Sequence, residues 1–496
     1  MELNKMQRVF SDRESKEIDK YAIQEHKLSP ILLMGMAAVS IFQEYKSFFE
    51  GKEIVILCGS GNNGGDGLAL AHLLYNDSHD VKVFRKIGEH TREYNYYLEL
   101  LEQTEVKISQ LEDFLDYANH KNQFDGIIID CLLGIGFKPP LSEFYSKLIN
   151  AINTFKALNP SCEIISVDSV SGFSLSQNTD FIDADILAEI GVKKLNGIFL
   201  LEKLKRYSFH SIGFPVEKYL KEYPVSHNNF SISSLSINTL KNEAKRSLYS
   251  HKFSNGSVSF IGGSTGMLGA ILSSVYAFHG LGGGISKIFS PSKDCINSIL
   301  KKDESLMPDL LTEESIQDAF LHKCDVIAIG PGLKPDEQKL NVQSLISMNK
   351  RIIIDSGGLE SVKQISLNEN VILTPHPGEF KRLIDATHST TMDLLEQIRQ
   401  YCLSCNVNLI YRGSFTILCN PRGDLYIWNY PNPKLAVMGT GDVFVGILSY
   451  FAAKKDSILD AFHLTMSAME ISRMMKGTYP SATEINTFIN EVIHNG

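Results

Sequence analysis

Short runs of apolar residues alternate with segments of helical spacing along most of the chain, and this pattern predicts strands and helices in alternation. A capping box at Ser11–Glu14 begins the first predicted helix, and another helix is predicted at Tyr145–Phe155. The apolar runs of the first half predict strands at 53–57, 81–85, 126–130, 163–168, 185–190 and 209–212. Because strands that are apolar at successive positions are covered on both faces, we predict an α/β fold with a parallel sheet between two helical layers.

The alternation stops between about 222 and 242, where the Ser- and Asn-rich stretch 227–238 lacks a long periodic segment. It resumes near His251, with helices predicted at 267–278, 441–454 and 457–475. The strands predicted in this half are 257–261, 285–290, 325–329, 351–355, 371–374 and 409–412, followed by a hairpin of 416–418 and 424–428. We therefore predict two αβα domains, 1–222 and 246–496, joined by a linker of 223–245.

The composition of the 496-residue chain is that of an ordinary globular protein, with 43% hydrophobic and 21% charged residues. A net charge of −9 and a sequence without a basic run argue against nucleic-acid binding. The eight scattered cysteines indicate reduced thiols in a cytoplasmic protein, and the helical pattern around Cys402 and Cys405 disfavours a metal site there. The N-terminus is polar and the apolar run 31–39 is too short for a bilayer, so we expect no signal peptide and no membrane span.

The glycine-rich loop Gly59–Gly67 joins the first strongly apolar strand to a helix. Glycines allow close approach of the backbone to a ligand, and the N–H groups at a helix start favour an anion. Asn62, Asn63 and Asp66 add side-chain oxygens that a tight turn or a plain phosphate loop does not need. We therefore interpret the loop as part of a ligand site.

Two further strand ends carry acids beside glycines. Asp130 is followed by the segment Gly134–Pro140, and Asp168 is followed by Ser171. Ligands of open parallel sheets bind at the carboxyl ends of the strands, although each acid alone could merely cap a helix or stabilise its own turn. Asn63, Asp130 and Ser171 offer hard oxygen ligands for a monovalent or divalent cation, which leaves Asp168 as a candidate general acid or base.

Together these segments resemble the NAD(P)H-hydrate epimerase family over roughly the first 215 residues. The resemblance implies a Rossmann-like three-layer αβα domain that interconverts the R and S hydrates of NADH and NADPH. It implies potassium bound by Asn63, Asp130 and Ser171, and Asp168 as the proton shuttle. It implies a substrate site made of Asn62, Asn63, Gly64, Gly65, Asp66, Gly134, Ile135, Gly136, Phe137, Lys138, Pro139, Pro140 and Asp168. Two positions depart from the family, because Ile135 replaces a threonine and the usual Met-Glu-Asn-Ala-Gly helix reads Met34–Ala38.

In the second half, Gly439–Asp442 opens an apolar helix whose first N–H groups suit a phosphate. An acid beside a phosphate could take the proton of an acceptor hydroxyl, although Asp442 could also only cap the helix. Arg412–Thr416 lies between two predicted strands and could contact a nucleotide phosphate or form a solvated turn. His376 stands between two prolines, which favours a positioned ligand contact, although an isolated histidine is more often structural.

These segments, with His251-Lys252, Gly262–Gly266 and Gly330–Leu333, resemble the ADP- or ATP-dependent NAD(P)H-hydrate dehydratase family over nearly all of 246–496. The resemblance implies a ribokinase-like αβα domain in which a nucleotide, with Mg²⁺, phosphorylates the hydrate before phosphate leaves. It implies that Asp442 is the catalytic base. It implies that the hydrate contacts Ala270, Gly332, His376 and Asp442. It implies a nucleotide site made of Arg412, Gly413, Ser414, Phe415, Thr416 and Gly441.

Four positions of this half depart from the family pattern, and one of them is Lys334, which replaces the glycine after Leu333. Arg412 replaces a lysine, which keeps the positive charge but as a broader, planar group. Met438 replaces a glycine beside the Gly-Thr-Gly-Asp loop, and Gly357 replaces the second acid of the usual Asp-Ala-Asp-Ala-Leu segment. Asp442 is retained, so we expect dehydratase activity.

The leading hypothesis is a fused repair enzyme that acts on the small molecules NADHX and NADPHX, the hydrated cofactors, and that assembles as a homo-oligomer. Fusion has a chemical logic, because a stereospecific dehydratase leaves one epimer unused and an attached epimerase recovers it. Two alternatives stay open. A kinase of a vitamin precursor would release a stable phosphorylated product, and a nucleotide-binding module with a decayed dehydratase site would bind nucleotide without turnover.

Overall fold

The computed structural model describes residues 6–121, 123–175, 177, 179–224, 227–337, 341–363, 365–384, 393–477 and 479–495. The chain divides into two compact units, of which the first is Arg8–Asn229 and the second is Phe230–Gly496 together with Met1–Gln7. Strands and α-helices are numbered in chain order. Residues 1–5 of the predicted first domain and residues 225 and 226 of the predicted linker lie outside the described residues.

The first unit is built on a parallel sheet whose strand order is β4-β3-β2-β5-β6-β7-β8, with all of its paired neighbours parallel. Its strands are β2 Glu53–Cys58, β3 Asp80–Arg85, β4 Lys107–Gln110, β5 Gly126–Cys131, β6 Glu163–Val167, β7 Ile186–Ile190 and β8 Arg206–His210. Its helices are α1 Asp12–Gln24, α2 Pro30–Phe49, α3 Asn62–Asn76, α4 Arg92–Glu102, α5 Asp113–His120, α6 Glu143–Leu158, α7 Leu195–Leu200 and α8 Val216–Glu222. The order reverses between β2 and β5, which makes the sheet Rossmann-like and creates a crevice at their carboxyl ends.

Both faces of this sheet are buried, as the continuous apolar strands predict. Ile54 and Ile56 pack against α2 and α3 on one face, whereas Val55 and Leu57 pack against α5 and α6 on the other. The predicted capping box is present, since the Ser11 hydroxyl accepts from the Glu14 N–H and the Glu14 carboxylate accepts from the Ser11 N–H. The predicted α/β class is confirmed for this half.

The second unit contains a sheet of order β1-β9-β18-β17-β16-β15-β14-β13-β10-β11-β12. It is parallel from β16 to β12 and antiparallel from β16 through the predicted hairpin of β17 and β18. Its strands are β1 Met6–Val9, β9 Asn229–Ile232, β10 Ser257–Ile261, β11 Ile285–Ser290, β12 Pro308–Leu310, β13 Val326–Ile329, β14 Arg351–Ile354, β15 Val371–Leu373, β16 Asn408–Arg412, β17 Thr416–Cys419 and β18 Leu425–Trp428. Its helices are α9 Ile237–Ala244, α10 Leu268–Gly280, α11 Lys293–Lys302, α12 Ala319–Lys323, α13 Val342–Ile346, α14 Pro377–Leu383, α15 Leu394–Cys405, α16 Thr440–Lys454, α17 Ile458–Glu470 and α18 Ala482–Asn495.

Regular structure extends into segments where the sequence pattern is weak. The predicted linker contains β9 and α9, and α9 is capped by Ser236 and buries Leu240 and Ala244. Helix α17 ends at Glu470, where a 3-10 turn, Ile471–Met474, replaces the continuous helix predicted to Met475. The final helix, α18, is absent from the prediction. The elements of the linker are short, so their few apolar positions give no clear period. In α18, by contrast, Ile485, Ile489 and Ile493 recur at helical spacing and are buried, so the sequence does carry a signal for this helix.

The described part of the chain contains no helix that combines the length and the apolar character needed to cross a membrane. All eight cysteines are free thiols, and seven of them are buried. Cys402 and Cys405 lie in α15, as the helical pattern predicts.

Candidate active sites

A cavity of about 470 Å³ lies at the carboxyl ends of β2, β5 and β6 in the first unit. The structure brings eight of the predicted site residues to this cavity: Asn62, Asn63, Asp66, Gly134, Ile135, Gly136, Phe137 and Asp168. Gly64 and Gly65 are buried in the first turn of α3 beside them. Lys138, Pro139 and Pro140 follow Phe137 in the chain but are not among the lining residues.

Backbone packing explains two glycines of the first loop. A Cβ atom on Gly59 would lie 1.8 Å from the Leu132 carbonyl oxygen, and one on Gly64 would lie 2.1 Å from the carbonyl oxygen of Gly59. The loop therefore folds tightly against the end of β5 and against itself. This packing places the Asn63 side chain next to the segment that follows β5.

Asp130 lies beneath the cavity and is fully buried. Its carboxylate accepts from the hydroxyls of Ser171, at 2.5 Å, and Ser166, at 2.7 Å, and from the N–H groups of Ser171 and Leu132. Burial raises the pKa of Asp130, although these hydrogen bonds oppose the rise. A cation at this position would offset the cost of a buried carboxylate.

Asn63 supplies an unused acceptor next to this acid. Its Nδ2 donates to the Leu133 carbonyl at 3.4 Å, whereas its Oδ1 is buried without a hydrogen-bond partner. The Ser171 hydroxyl also contacts the Leu133 main chain, so Asn63, Asp130 and Ser171 converge on one segment. The side chains of Asn63, Asp130 and Ser171 would offer oxygen ligands to a metal ion, and one of these side chains is a carboxylate. Such a ligand set fits a hard monovalent cation. Among the described residues no group of three His, Cys, Asp or Glu side chains could hold a metal ion.

Asp168 contacts Lys194, a residue that no sequence motif indicated. The backbone of Asp168 is left-handed, with φ of 63°, and its Oδ1 accepts from the Lys194 ammonium at 2.7 Å and from the Ile190 N–H at 3.2 Å. Lys194 is only 2% exposed and also donates to the carbonyls of Ile190 and Val192. Burial alone would lower the pKa of Lys194, but Asp168 and Glu189 outweigh it and raise that pKa.

In the part of the chain that the structure describes, no lysine or arginine forms an ion pair with the other acids of this cavity. Burial, and then the charges of Asp168 and Asp19, raise the pKa of Asp66 well above its usual value. Burial and the same kind of repulsion raise the pKa of Asp19, which α1 brings to the cavity together with Ser15. The Ser15 hydroxyl is buried without a partner and is available to a ligand. The capping box located α1, but no local signal showed that this helix reaches the site.

The second unit contains a cavity of about 590 Å³ above the first turn of α16. The predicted residues that line it are His376, Arg412, Gly413, Ser414, Phe415, Thr416, Gly441 and Asp442. Ala270 and Gly332 do not line it but lie beside one another, since a Cβ on Gly332 would be 3.1 Å from that of Ala270. Asp355, at the end of the predicted strand 351–355, also lines the cavity.

Asp442 lies at the start of α16 and is only partly exposed. Burial, followed by repulsion from Asp355, raises the pKa of Asp442 to about 6, while Arg412 acts in the opposite direction. The carboxylate of an acid with this pKa is largely ionised at neutral pH and can still accept a proton there.

Arg412 is engaged with neighbouring groups rather than extended into the cavity. Its guanidinium pairs with the buried Asp355 carboxylate, and its Nε donates to the Thr374 carbonyl at 2.9 Å. The guanidinium carbon also lies 5.3 Å from the centre of the Phe444 ring. Asp355 accepts further hydrogen bonds from the hydroxyls of Ser356 and Thr374. Arg412, which the sequence predicts in the nucleotide site, is therefore held at the wall of the cavity by Asp355 and Thr374.

His376 caps the short helix α14. Its Nδ1 accepts from the Gly378 N–H at 3.0 Å and from the Glu379 N–H at 3.4 Å, so a neutral His376 carries its proton on Nε2. The side chain is 54% exposed, and it lines the cavity in this capping position. Capping and a ligand contact are thus compatible at this residue.

Two families match the chain, one within each unit. The family described as the YjeF-related protein N-terminus matches residues 31–195, and the family described as NAD(P)H-hydrate dehydratase matches residues 258–482. The bifunctional NAD(P)H-hydrate repair enzyme Nnr of Dictyoglomus turgidum is 26% identical over 488 residues, covering 92% of this chain and 91% of that protein. The protein of the same description from Moorella thermoacetica is 28% identical over 473 residues, covering 88% and 86%. The chain belongs to this bifunctional repair-enzyme family.

Two solved structures are each similar to about half of this chain. The ADP/ATP-dependent NAD(P)H-hydrate dehydratase of Bacillus subtilis, co-crystallised with ATP and Mg²⁺, is 24% identical with a TM-score of 0.44, covering 52% of this chain and 96% of that one. A ribokinase-like superfamily protein of Enterococcus faecalis is 22% identical with a TM-score of 0.46, covering 52% and 94%. The second unit has the predicted α/β class, since its sheet is mainly parallel and alternates with helices.

The structure shows how two departures from the pattern of the repair-enzyme family, Gly357 and Met438, are accommodated. A Cβ atom at Gly357 would lie 1.8 Å from the Leu333 carbonyl oxygen, so the local backbone excludes the acid that the family carries there. Met438 is 97% exposed, so its side chain points away from the loop and does not crowd it. Gly439 takes the left-handed conformation, with φ of 91°, which leaves the turn into α16 intact.

Proposed function

We propose that the first unit interconverts the R and S hydrates of NADH and NADPH, and that the second unit uses ADP or ATP to convert the S hydrate back to NADH or NADPH. The observation that carries this proposal is the correspondence between families and cavities. Each family match falls within one unit, and each unit has a cavity in which an acid from the matched segment lies beside a glycine-rich helix start.

In the first unit we assign the hydrate to the cavity formed by the segments 62–66 and 134–140, with Asp168 as the proton-transfer group. Asn63, Asp130 and Ser171 would hold a potassium ion. The unpartnered Asn63 Oδ1 and the buried Asp130 carboxylate support this assignment. When bound, the ion would supply positive charge that keeps Asp130 ionised and orders the loop beside the substrate.

In the second unit Asp442 would take the proton of the hydrate hydroxyl as that hydroxyl attacks the terminal phosphorus of the nucleotide. Phosphate then leaves the ring carbon, the neighbouring ring carbon loses a proton to water, and the double bond of the nicotinamide returns. We assign the nucleotide to 412–416 and Gly441. We assign the hydrate to Ala270, Gly332, His376 and Asp442. Mg²⁺ would enter with the nucleotide phosphates, since the Asp355 carboxylate of this cavity is already paired with Arg412.

We also propose a homo-oligomer located in the cytoplasm. Eight free thiols, seven of them buried, suit a reducing compartment. Leu32, Met36 and Val39 lie along one face of α2 and are 40–55% exposed, which supports self-association. Analytical ultracentrifugation of the purified chain tests the assembly; a monomer at all concentrations would contradict it.

A single assay tests both activities. The full-length protein is incubated with mixed NADH hydrates and Mg²⁺, with ADP or with ATP, and the return of NADH absorbance is followed. Complete recovery is expected with at least one nucleotide, and the rate of the R fraction should fall when K⁺ is replaced by tetramethylammonium. Recovery that stops at the S fraction contradicts the epimerase assignment, whereas no recovery with either nucleotide contradicts the dehydratase assignment. A stable phosphorylated product would indicate a kinase, and nucleotide binding without turnover would indicate a decayed site.

A further inference from the structure

We propose that the first cavity uses two carboxyl groups in opposite roles, with Asp66 donating a proton to the departing hydroxyl and Asp168 accepting one from the arriving water. We propose further that the buried Lys194 is the positioning residue that keeps Asp168 in its accepting form. This inference rests on the proposed epimerase function and specifies how the cavity performs it.

The fold places the two acids on either side of one strand end. Asp66 lies in the first turn of α3, which follows β2, and Asp168 follows β6 directly. Strand β5 is paired with both β2 and β6, so its end separates the two acids. Neighbouring strands are about 4.8 Å apart, so the two acids arise from strands about 10 Å apart. Both line the same cavity, whose volume of about 470 Å³ is large enough for a six-membered ring.

The hydrogen bonds of Lys194 explain why Asp168 accepts. The Lys194 ammonium donates to Oδ1 of Asp168 and to two backbone carbonyls. Among these described acceptors, the Asp168 oxygen is the one that belongs to a carboxylate. Both hydrogen bonds that the Asp168 carboxylate receives end on Oδ1. Oδ2 is therefore the oxygen that can take a proton from water. A buried ammonium at 2.7 Å favours the ionised form of its partner.

Asp66 is in the opposite situation, since repulsion adds to burial there. Asp168 and Asp19 both repel its negative charge, and the attraction of Lys194 is the smallest of these influences. Seven charged or titratable groups interact electrostatically with Asp66 or Asp168. They are Asp12, Asp19, Cys58, Tyr97, Cys131, Glu189 and Lys194. One cavity thus contains an acid whose surroundings favour the protonated form, Asp66, and an acid that is paired with an ammonium, Asp168, which is the contrast that acid–base catalysis needs.

The chemistry balances with these two groups alone. The hydrate carries its hydroxyl on a ring carbon next to the ring nitrogen. Asp66 protonates that hydroxyl, the carbon–oxygen bond breaks with the help of the nitrogen lone pair, and water leaves. A second water then bonds to the same carbon from the opposite face and gives its proton to Asp168. The net result is inversion at the carbon and transfer of one proton from Asp66 to Asp168, and exchange with solvent in the open cavity restores both groups.

Lys194→Ala in the full-length protein tests the positioning role, with interconversion of the two hydrates measured without nucleotide. Loss of the ammonium should slow interconversion about 100-fold and move the acidic limb of the kcat/KM profile upward by about 1–3 pH units. Ethylammonium in the buffer should restore part of the rate, whereas ethanol should not. The matched control is Lys193→Ala, because that neighbouring lysine lies over the rings of Tyr207 and Phe209 and does not line the cavity.

An unmoved acidic limb in a folded Lys194→Ala protein, with no rescue by the amine, would overturn the role of Lys194. Folding is checked in the same sample by the dehydratase activity and by the far-UV spectrum. If Lys194→Ala does not fold, Asp66→Asn decides the proposal, since its residual rate should be about 100-fold lower and should lose the alkaline limb. Loss of that limb in Asp19→Asn instead would show that Asp66 is not the donor. A wild-type protein that does not interconvert the hydrates would contradict the proposed function itself, whereas normal wild-type activity with unchanged variants would contradict only this inference.

Discussion

In the first cavity a cation is paired directly with the reactive acid, whereas in the second cavity the cation is paired with a different acid. In the first, the Lys194 ammonium lies 2.7 Å from Oδ1 of Asp168, the acid expected to transfer protons. In the second, the guanidinium of Arg412 pairs with Asp355, and the reactive acid Asp442 receives only its more distant attraction. In the first arrangement the cation is hydrogen-bonded directly to the acid. The second leaves its acid with a pKa of about 6.

This difference fits the two proposed reactions. Epimerisation adds no external energy, so its acid and base must already differ in protonation when the hydrate arrives. Dehydration is driven by the nucleotide, and its base has one task, which is to take a hydroxyl proton beside a phosphate. A base with a pKa near the working pH is the better acceptor for that task, because it combines ionisation with proton affinity.

The largest expected effect comes from removing each reactive acid separately. Asp442→Ala should lower the rate of dehydration by about 10²–10⁴-fold and leave epimerisation unchanged, because the base acts only in the second cavity. Asp168→Ala should do the reverse, so that NADH recovery stops at the S fraction. Both are measured in one assay of mixed hydrates. Asp294→Ala, an exposed acid in the first turn of α11, is the control and should retain both activities. Loss of both activities in either active-site variant would show that the reactions are not separable.

Local patterns predicted the parts of these sites that lie on strand ends. The apolar strands fixed the sheet, and because parallel strands share a carboxyl edge, Asp130, Asp168 and the Gly59–Gly67 loop could be expected to meet. Family membership, which rested on these loops and on Gly439–Asp442, is confirmed by the two matches. The residue roles stay predictions.

The partners of the acids could not be predicted in the same way. Lys194 lies 26 positions after Asp168 and follows a different strand, so only the folded sheet shows that they touch. Asp19 and Ser15 reach the cavity from α1, whose amphipathic pattern indicated a helix but not its neighbours. Arg412 lines the second cavity, but its pairing with Asp355 depends on two strands that are not adjacent in sequence.

Alanine substitutions in the glycine loops before α3 and α16 should have a smaller effect, which is measured as a change in the free energy of unfolding. Gly64→Ala should destabilise the first unit by about 3 kcal/mol, because a Cβ atom there would lie 2.1 Å from a backbone oxygen. Gly441→Ala should cost under about 1 kcal/mol, because its Cβ would meet only the end of the Arg412 side chain at 2.8 Å and because alanine favours the helix. Urea unfolding followed by circular dichroism measures both. Equal destabilisation would show that the second loop is as tightly packed as the first.

The smallest expected effect tests the relation between cation and acid in the second cavity. The kcat/KM for dehydration should rise with pH and reach half its maximum near the Asp442 pKa of about 6, because only the ionised acid accepts a proton. Arg412→Gln removes a charge that lowers this pKa, so the half-maximum should move upward by about 1 pH unit. Asp355→Asn removes a charge that raises it and also releases Arg412 from its partner, so the half-maximum should move downward by a similar amount.

Opposite shifts are the informative result, because a change in packing alone would not give the two variants opposite signs. Arg422→Gln provides the control for loss of an arginine, since its side chain is 82% exposed in the turn between β17 and β18, and its profile should match that of the wild type. Shifts of the same sign would show that Arg412 and Asp355 act on Asp442 mainly through structure. If neither profile moves, the acid that titrates near pH 6 is not Asp442, and the contrast with the directly paired Asp168 does not hold.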